Sequence, residues 1–358
     1  MGTLRTLFAI AVVLAHSYGE VFVGGRNAVQ LFYMISGFLI SYVLVEKKAY
    51  STVSSFYFNR YLRLYPIYLV VALLTLLASV VALKMGDDVN LFKVYHNAPY
   101  EADTWLVFSN STLFFQDWVM FAGVESGKLV FAADCFKSEV PLYRGLLVPQ
   151  AWTLGIELSF YLIAPFVLHK RRLLLSLLAL SISLRLCLIY GGVGMKDPWT
   201  YRFFPTELAI FLLGALAHQV LLPFYKKKFS NARLERYAVI ATCVLVLITL
   251  FYWVTPIDAL IKNTLLFLVF VFLMPMAFVF QALRAWDRWI GDLSYPIYIC
   301  HMLVIYVAGF MLGKIGAKSA VTLGASAVVF SICFAMCLNR LVGSPVERIR
   351  NRFRVKKT

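Results

Sequence analysis

Polar and apolar positions along this chain are sorted into long blocks instead of the short periods of amphipathic helices or strands. Ten apolar runs, at 4–23, 27–45, 64–83, 152–169, 173–190, 204–222, 237–255, 259–281, 293–313 and 319–341, are separated by polar connections. Runs of this length are predicted to cross a hydrocarbon core of about 30 Å as helices, because only helices and closed barrels satisfy their backbone groups in lipid. The expected fold class is therefore all-α, a polytopic transmembrane helix bundle of about ten spans. The connection at 84–150 is the long exception. Its stretch 104–121 is apolar but broken by Asn110, Gln116 and Asp117. It is predicted to be an interfacial or re-entrant helix, since one more span would invert the charge bias downstream.

Composition sharpens this picture. Hydrophobic residues make up 61% of the chain and charged ones 15%, with a mean hydropathy of +0.78, which excludes a soluble domain with a large core. A net charge of +16 would ordinarily suggest nucleic acid. Here the basic residues punctuate the apolar runs and form no single face, so no nucleic-acid partner is expected. Arg5, Lys47, Lys48, Arg60, Arg63, Lys170–Arg172, Lys226–Lys228, Arg233, Arg236, Arg284, Arg288 and the tail put most of the 34 basic residues on one side, whereas acidic residues outnumber basic ones in 84–150. By the positive-inside rule both termini are expected in the cytoplasm. With no internal repeat, the chain is predicted to be one membrane domain, 1–345, followed by a basic cytoplasmic tail, 346–358, that includes Lys356 and Lys357. The six cysteines form no CxxC pair or metal-ligand spacing, so no metal is expected, and the first span lacks the flanks of a cleavable signal.

Ionisable groups inside apolar runs carry the candidate chemistry, because lipid makes them costly. Arg5 and His16 lie eleven residues apart, which on a helix returns to nearly the same face after a rise of about 16 Å. His16 is expected roughly 18 Å from the cytoplasmic surface, as a functional imidazole or an interhelical hydrogen-bonding residue. Ser36-Gly37 marks a packing notch on the second helix that could bring it near His16. Arg60 and Arg63, at i and i+3 before the third run, suit a phosphate-rich ligand or lipid phosphates. Glu157 is expected at a depth similar to His16, where it would orient that ring or neutralise Arg185; Glu207 is expected to reach water. His301 is a second intramembrane imidazole, structural or functional, and His218 has no assigned role.

Taken together, these motifs are identifiable. Arg5 with His16, the Phe32–Phe38 segment, Arg60-x-x-Arg63 before Tyr65-Pro66, Trp152 to Glu157 with Tyr161 and Pro165, and Ser294-Tyr295-Pro296-Ile297-Tyr298 through His301 occur in the order seen in the acyltransferase 3 family, which the chain resembles over nearly its whole length. The resemblance implies a bacterial cytoplasmic (inner) membrane enzyme that moves an acyl group, usually acetyl, from acyl-CoA to a hydroxyl of a surface carbohydrate such as O-antigen, lipopolysaccharide or capsule. It also implies that Arg5 and His16 serve catalysis and that Arg60 and Arg63 serve activity through CoA. The family often closes with Glu-x-Pro or Glu-Pro; here the stretch reads Val342-Gly343-Ser344-Pro345-Val346-Glu347, so nothing is carried over there. The outer esterase-like domain of some members is expected to be absent.

The resulting expectation is an O-acetyltransferase with acetyl-CoA as co-substrate, membrane lipids as surroundings and a glycan as acceptor. His16 would be the base, Arg5 and Glu157 its catalytic helpers, Arg60 and Arg63 the CoA-binding pair, and Trp152, Arg185, Tyr298 and His301 the acceptor-binding residues, since aromatic faces suit a sugar. The alternative is a proton-coupled transporter or flippase with His16, Glu157 and Arg185 as a relay, although no inverted repeat or matched Gly/Pro breaks support it.

Overall fold

The computed structural model describes residues 1–354 except Asp87, Asp88, Met195 and Lys318. Lys356 and Lys357 of the expected tail lie outside the described residues. The chain is about 79% helical. In order it forms α1 (Gly2–Ser17), α2 (Gly24–Ser41), α3 (Val53–Lys84), α4 (Asn90–Asn97), α5 (Tyr100–Thr112), the strands β1 (Ala122–Glu125), β2 (Lys128–Phe131) and β3 (Val140–Pro141), then α6 (Trp152–Val167), α7 (Arg171–Tyr190), α8 (Phe204–Leu216), α9 (Leu222–Lys228), α10 (Asn231–Phe251), α11 (Ala259–Leu283), α12 (Ala285–Asp292), α13 (Ser294–Lys314), α14 (Ala320–Leu338) and α15 (Ser344–Asn351). Among the described residues eight helical stretches are long and apolar enough to cross a membrane, with α1 a shorter apolar helix. This is a multi-pass membrane protein.

The described chain separates into two compact units. One comprises Met1–Ser51, Ala164–Leu178 and Ala209–Leu341; the other comprises Thr52–Ile163, Ala179–Leu208 and Val342–Thr358.

In the first unit α1 packs against α2, α12, α13 and α14. Its opening backbone N–H groups have no intrahelical acceptor. Asp287 supplies one: the amides of Gly2 and Thr3 donate to its carboxylate at 2.7 and 2.8 Å, and the Thr3 hydroxyl at 2.6 Å. Phe8, fully buried, meets Phe32 and Phe270 at ring distances of 5.7 Å, and burial of such a ring stabilises by roughly 2–3 kcal/mol. The first span was expected over 4–23, but α1 stops at Ser17. The Tyr18 and Gly19 amides both turn back to the Leu14 carbonyl, and positive φ at Gly19, Phe22 and Gly24 carries the chain around into α2. The Ser36-Gly37 notch serves α8: a Cβ on Gly37 would lie 1.9 Å from the Phe211 carbonyl oxygen, and one on Gly214 1.9 Å from that of Met34. These two glycines let the α2 and α8 backbones touch.

In the second unit α3 runs for 32 residues, begun by a reciprocal cap between Thr52 and Ser55 and continuing through Pro66. Tyr61, Tyr65 and Tyr68 project from one side of it. Their hydroxyls donate to the carbonyls of Thr112, Ser111 and Asn110 at 3.2, 2.7 and 2.9 Å, which are orphan acceptors at the end of α5. The expected helix over 104–121 is thus cut at Thr112, where Leu113 turns to positive φ. Beyond it the segment forms a three-stranded antiparallel sheet in the order β2-β1-β3, an element the apolar blocks did not foretell. Asn110 ends the helix productively, donating to the Gly145 carbonyl at 2.9 Å and accepting from the Leu147 amide at 2.9 Å.

Asp117, one of the polar breaks in that stretch, is buried. It is 3% accessible, and a Cβ on Gly155 of α6 would stand 2.5 Å from its Oδ1. Burial pushes its carboxyl up to about 7, opposed by hydrogen bonds from its own amide and that of Trp118. A carboxyl raised above its unfolded value contributes stability that is complete below the ordinary carboxyl range and is lost as pH climbs through about 7. Asp117→Asn is therefore expected to raise the thermal midpoint of the detergent-solubilised protein at pH 8 and to change it little at pH 4. Equal shifts at both pH values would contradict this.

Candidate active site

Four of the expected site residues, Arg5, His16, Tyr298 and His301, belong to the first unit. Arg5 and His16 lie on the uninterrupted α1, so their one-face spacing stands, with Arg5 half-buried and His16 exposed. His16 is the penultimate residue of the helix instead of a mid-span position, because α1 ends early. Its ring stacks on that of His301 from α13, centroids 5.2 Å apart and planes 27° from parallel. His301 is fully buried and its Nδ1–H donates to the Tyr298 carbonyl one turn back, which leaves the lone pair at Nε2. No hydrogen-bond partner meets that Nε2 among the described residues. The Tyr298 ring lies 5.7 Å from that of His301 and 6.0 Å from that of Phe32, closing one side of the pair. The arrangement offers an accessible imidazole backed by a second one with a fixed tautomer, which suits proton transfer to or from a hydroxyl.

The other five, Arg60, Arg63, Trp152, Glu157 and Arg185, belong to the second unit. Arg60 and Arg63 sit inside α3, not ahead of it, because that helix starts at Val53. Arg60 is 3% accessible and its guanidinium lies 5.7 Å over the Phe56 ring. It lines a pocket of about 430 Å³ with Tyr57, Tyr61, Phe114, Leu158 and Tyr161. Glu157 accepts a hydrogen bond from the Tyr161 hydroxyl one turn along α6. Arg185 is held by Glu207, at 3.0 Å, and by the Thr200 and Thr206 carbonyls at 3.0 and 3.3 Å. Glu207, expected to reach water, is fully buried in that pair. Trp152 is 5% accessible; the Arg202 guanidinium covers its ring at 4.3 Å, and Tyr201 packs on it edge-on at 4.9 Å. Burial works against the Arg202 charge, but the Asp197 carboxylate, bound at 2.7 and 2.9 Å, more than offsets this and holds its pKa above the ordinary value. Little of the Trp152 face is left for a sugar.

A family model described as an acyltransferase domain matches residues 2–340. The chain belongs to the acyltransferase 3 family. Among related proteins, it is 27% identical over 337 residues to the peptidoglycan O-acetyltransferase OatA of Listeria monocytogenes, covering 84% of this chain and 48% of that protein. It is 25% identical over 336 residues to the O-acetyltransferase OatA of Staphylococcus aureus, covering 84% and 49%. An uncharacterized protein of Aquifex aeolicus is 25% identical over 216 residues, covering 57% and 89%. This chain spans about half the length of the two OatA proteins. No solved structure matches it significantly.

For this acyltransferase 3 chain, sequence reasoning left one polar chain unread. The Ser41 hydroxyl meets His218 Nδ1 at 2.9 Å, and His218 Nε2 meets Glu46 at 2.9 Å, with Gln219 donating to Ser41 at 3.0 Å. Glu46 and His218 lie in π-helical turns, Tyr42–Glu46 and Ala217–Leu221, a local widening common at functional positions. An intramembrane histidine was the visible signal; its partners come from a helix far away in sequence. The Arg185–Glu207 pair yields a test. Glu207→Ala strands a largely buried guanidinium and is expected to lower unfolding stability by about 3 kcal/mol. Replacing both partners by leucine and methionine should recover most of that loss, as read by thermal denaturation in detergent.

Proposed function

We propose that this chain is an O-acetyltransferase that moves an acetyl group from acetyl-CoA to a hydroxyl of a cell-envelope glycan. The observation that carries the reading is the exposed His16, stacked on the buried, singly hydrogen-bonded His301 and sharing a helix face with Arg5. Family membership and the printed activity of the OatA relatives supply the reaction class. Both termini are assigned to the cytoplasm of a bacterial inner membrane with about ten crossings, an assignment supported by the bias of basic residues.

In this mechanism His16 removes the proton from the acceptor hydroxyl as its oxygen attacks the thioester carbonyl. The new C–O bond forms, the C–S bond breaks, and the imidazolium returns its proton to the departing CoA thiolate. Arg5 favours the negative charge that develops on the carbonyl oxygen. His301 fixes the orientation of His16 from behind. Arg60 and Arg63 bind the CoA phosphates as forked, permanently charged donors, and Glu157 with Tyr161 orients a polar partner next to the pocket. The Listeria relative's name supports a peptidoglycan-type acceptor; O-antigen and capsule are the alternatives within the same chemistry.

The test is a proteoliposome assay with labelled acetyl-CoA and isolated envelope glycans. Label is expected to appear as an alkali-labile glycan ester, and His16→Ala is expected to reduce that transfer at least ~100-fold, the usual worth of a general base, with unchanged folded yield. Movement of unmodified glycan across the bilayer without CoA, and no ester, would make the protein a transporter instead.

A further inference from the structure

The last helix ends in a place that a solvated basic tail would not occupy. Helix α15 packs along the start of α3, within the second unit, and Arg350 is its anchor, 7% accessible. Its Nε donates to the Asn59 carbonyl at 3.1 Å and its Nη2 to Asn59 Oδ1 at 3.2 Å, while Asn59 Nδ2 donates back to the Arg350 carbonyl at 2.8 Å. Asn59 is itself fully buried and adjoins Arg60 in sequence. Further along, Phe353 packs on Phe58 at a ring distance of 4.9 Å, and Phe58 is part of the pocket wall that includes Arg60.

This docking gathers like charges. Arg63, Arg60 and Arg354 all act repulsively on Arg350, and the carboxylate that favours it is Glu347, which pairs with both Arg350 and Arg354. Glu157, beside Tyr161, is the second carboxylate felt in the Arg60–Arg63 neighbourhood. Glu347 thus pairs with two guanidiniums, and three hydrogen bonds hold Arg350 to Asn59, the residue before Arg60. Such a cluster is relieved by a multiply charged anion, and forked guanidiniums match phosphate oxygens in pairs. The walls of the adjoining pocket, Tyr57, Tyr61, Phe114 and Tyr161, are aromatic and suit a flat heterocycle.

We propose that α15 completes the donor's phosphate site: Arg350 fixes the helix against Asn59 so that Arg354 joins Arg60 and Arg63 as one cradle for the phosphates of a nucleotide thioester, with the nucleobase in the aromatic pocket beside Arg60. The proposal rests on the acyl-CoA reading above and adds residues to it that lie almost three hundred positions further along the chain. Phosphate could also come from a lipid headgroup, so the test separates the two sources.

The experiment uses the full chain in nanodiscs of phosphatidylcholine alone and of phosphatidylcholine with phosphatidylglycerol in equal parts, with calorimetric binding of coenzyme A and of dephospho-coenzyme A. Arg354→Gln, at the helix end, and Arg350→Lys, which keeps the charge but loses the fork, are compared with Arg60→Gln. Thermal midpoints confirm that each variant is folded. Both α15 variants are expected to weaken coenzyme A binding by about 3- to 10-fold in either lipid, the range of one net hydrogen bond. They should also narrow its preference over dephospho-coenzyme A, and raise the KM for acetyl-CoA while leaving kcat unchanged. Wild-type binding by both α15 variants, with loss in Arg60→Gln, would overturn this proposal and spare the donor reading. Wild-type binding by all three would overturn both. Effects confined to the anionic nanodiscs would assign the cradle to lipid and overturn it as a donor site.

Discussion

A polar group in hydrocarbon must find a partner within the protein, and most of this structure follows from that requirement. Asp287 collects the amides that open α1. The tyrosines of α3 collect the carbonyls that close α5. Arg185 and Glu207 neutralise each other, and two backbone oxygens accept further guanidinium N–H groups. The rule has exceptions among the described residues, and the His301 Nε2, buried with no hydrogen-bond partner, is one of them.

Much of the scaffold was readable from the order of residues because hydropathy in lipid is a one-dimensional property. Run length located the helices, and the eleven-residue interval between Arg5 and His16 survives intact on α1. Where the prediction ran long, at 18–23, the departure came from local dihedral choices at Gly19, Phe22 and Gly24 that hydropathy does not record. The small sheet after α5 was missed for a related reason: its strands are two to four residues long, too short for a period to register.

Partner choice was the less legible part. A carboxylate and a guanidinium at comparable depth are interchangeable on paper, so Arg185 could be assigned to Glu157 as readily as to Glu207. The structure chose Glu207, and Tyr161 took Glu157. Likewise Trp152 had the chemistry of a sugar platform, but Arg202, fifty residues on, covers it. The Ser41–His218–Glu46 chain depends on two helix turns facing each other, which no spacing rule contains. Docking of α15 on α3 is of the same kind, since its arginines read as a solvated tail until Asn59 is seen to hold Arg350.

The 32 residues of α3 span about 48 Å at helical rise, well beyond the roughly 30 Å of a bilayer's apolar slab. A rod that long must lean or protrude, and Arg60 and Arg63 precede its apolar run, 64–83. Slab thickness therefore sets how deeply those two cations are immersed.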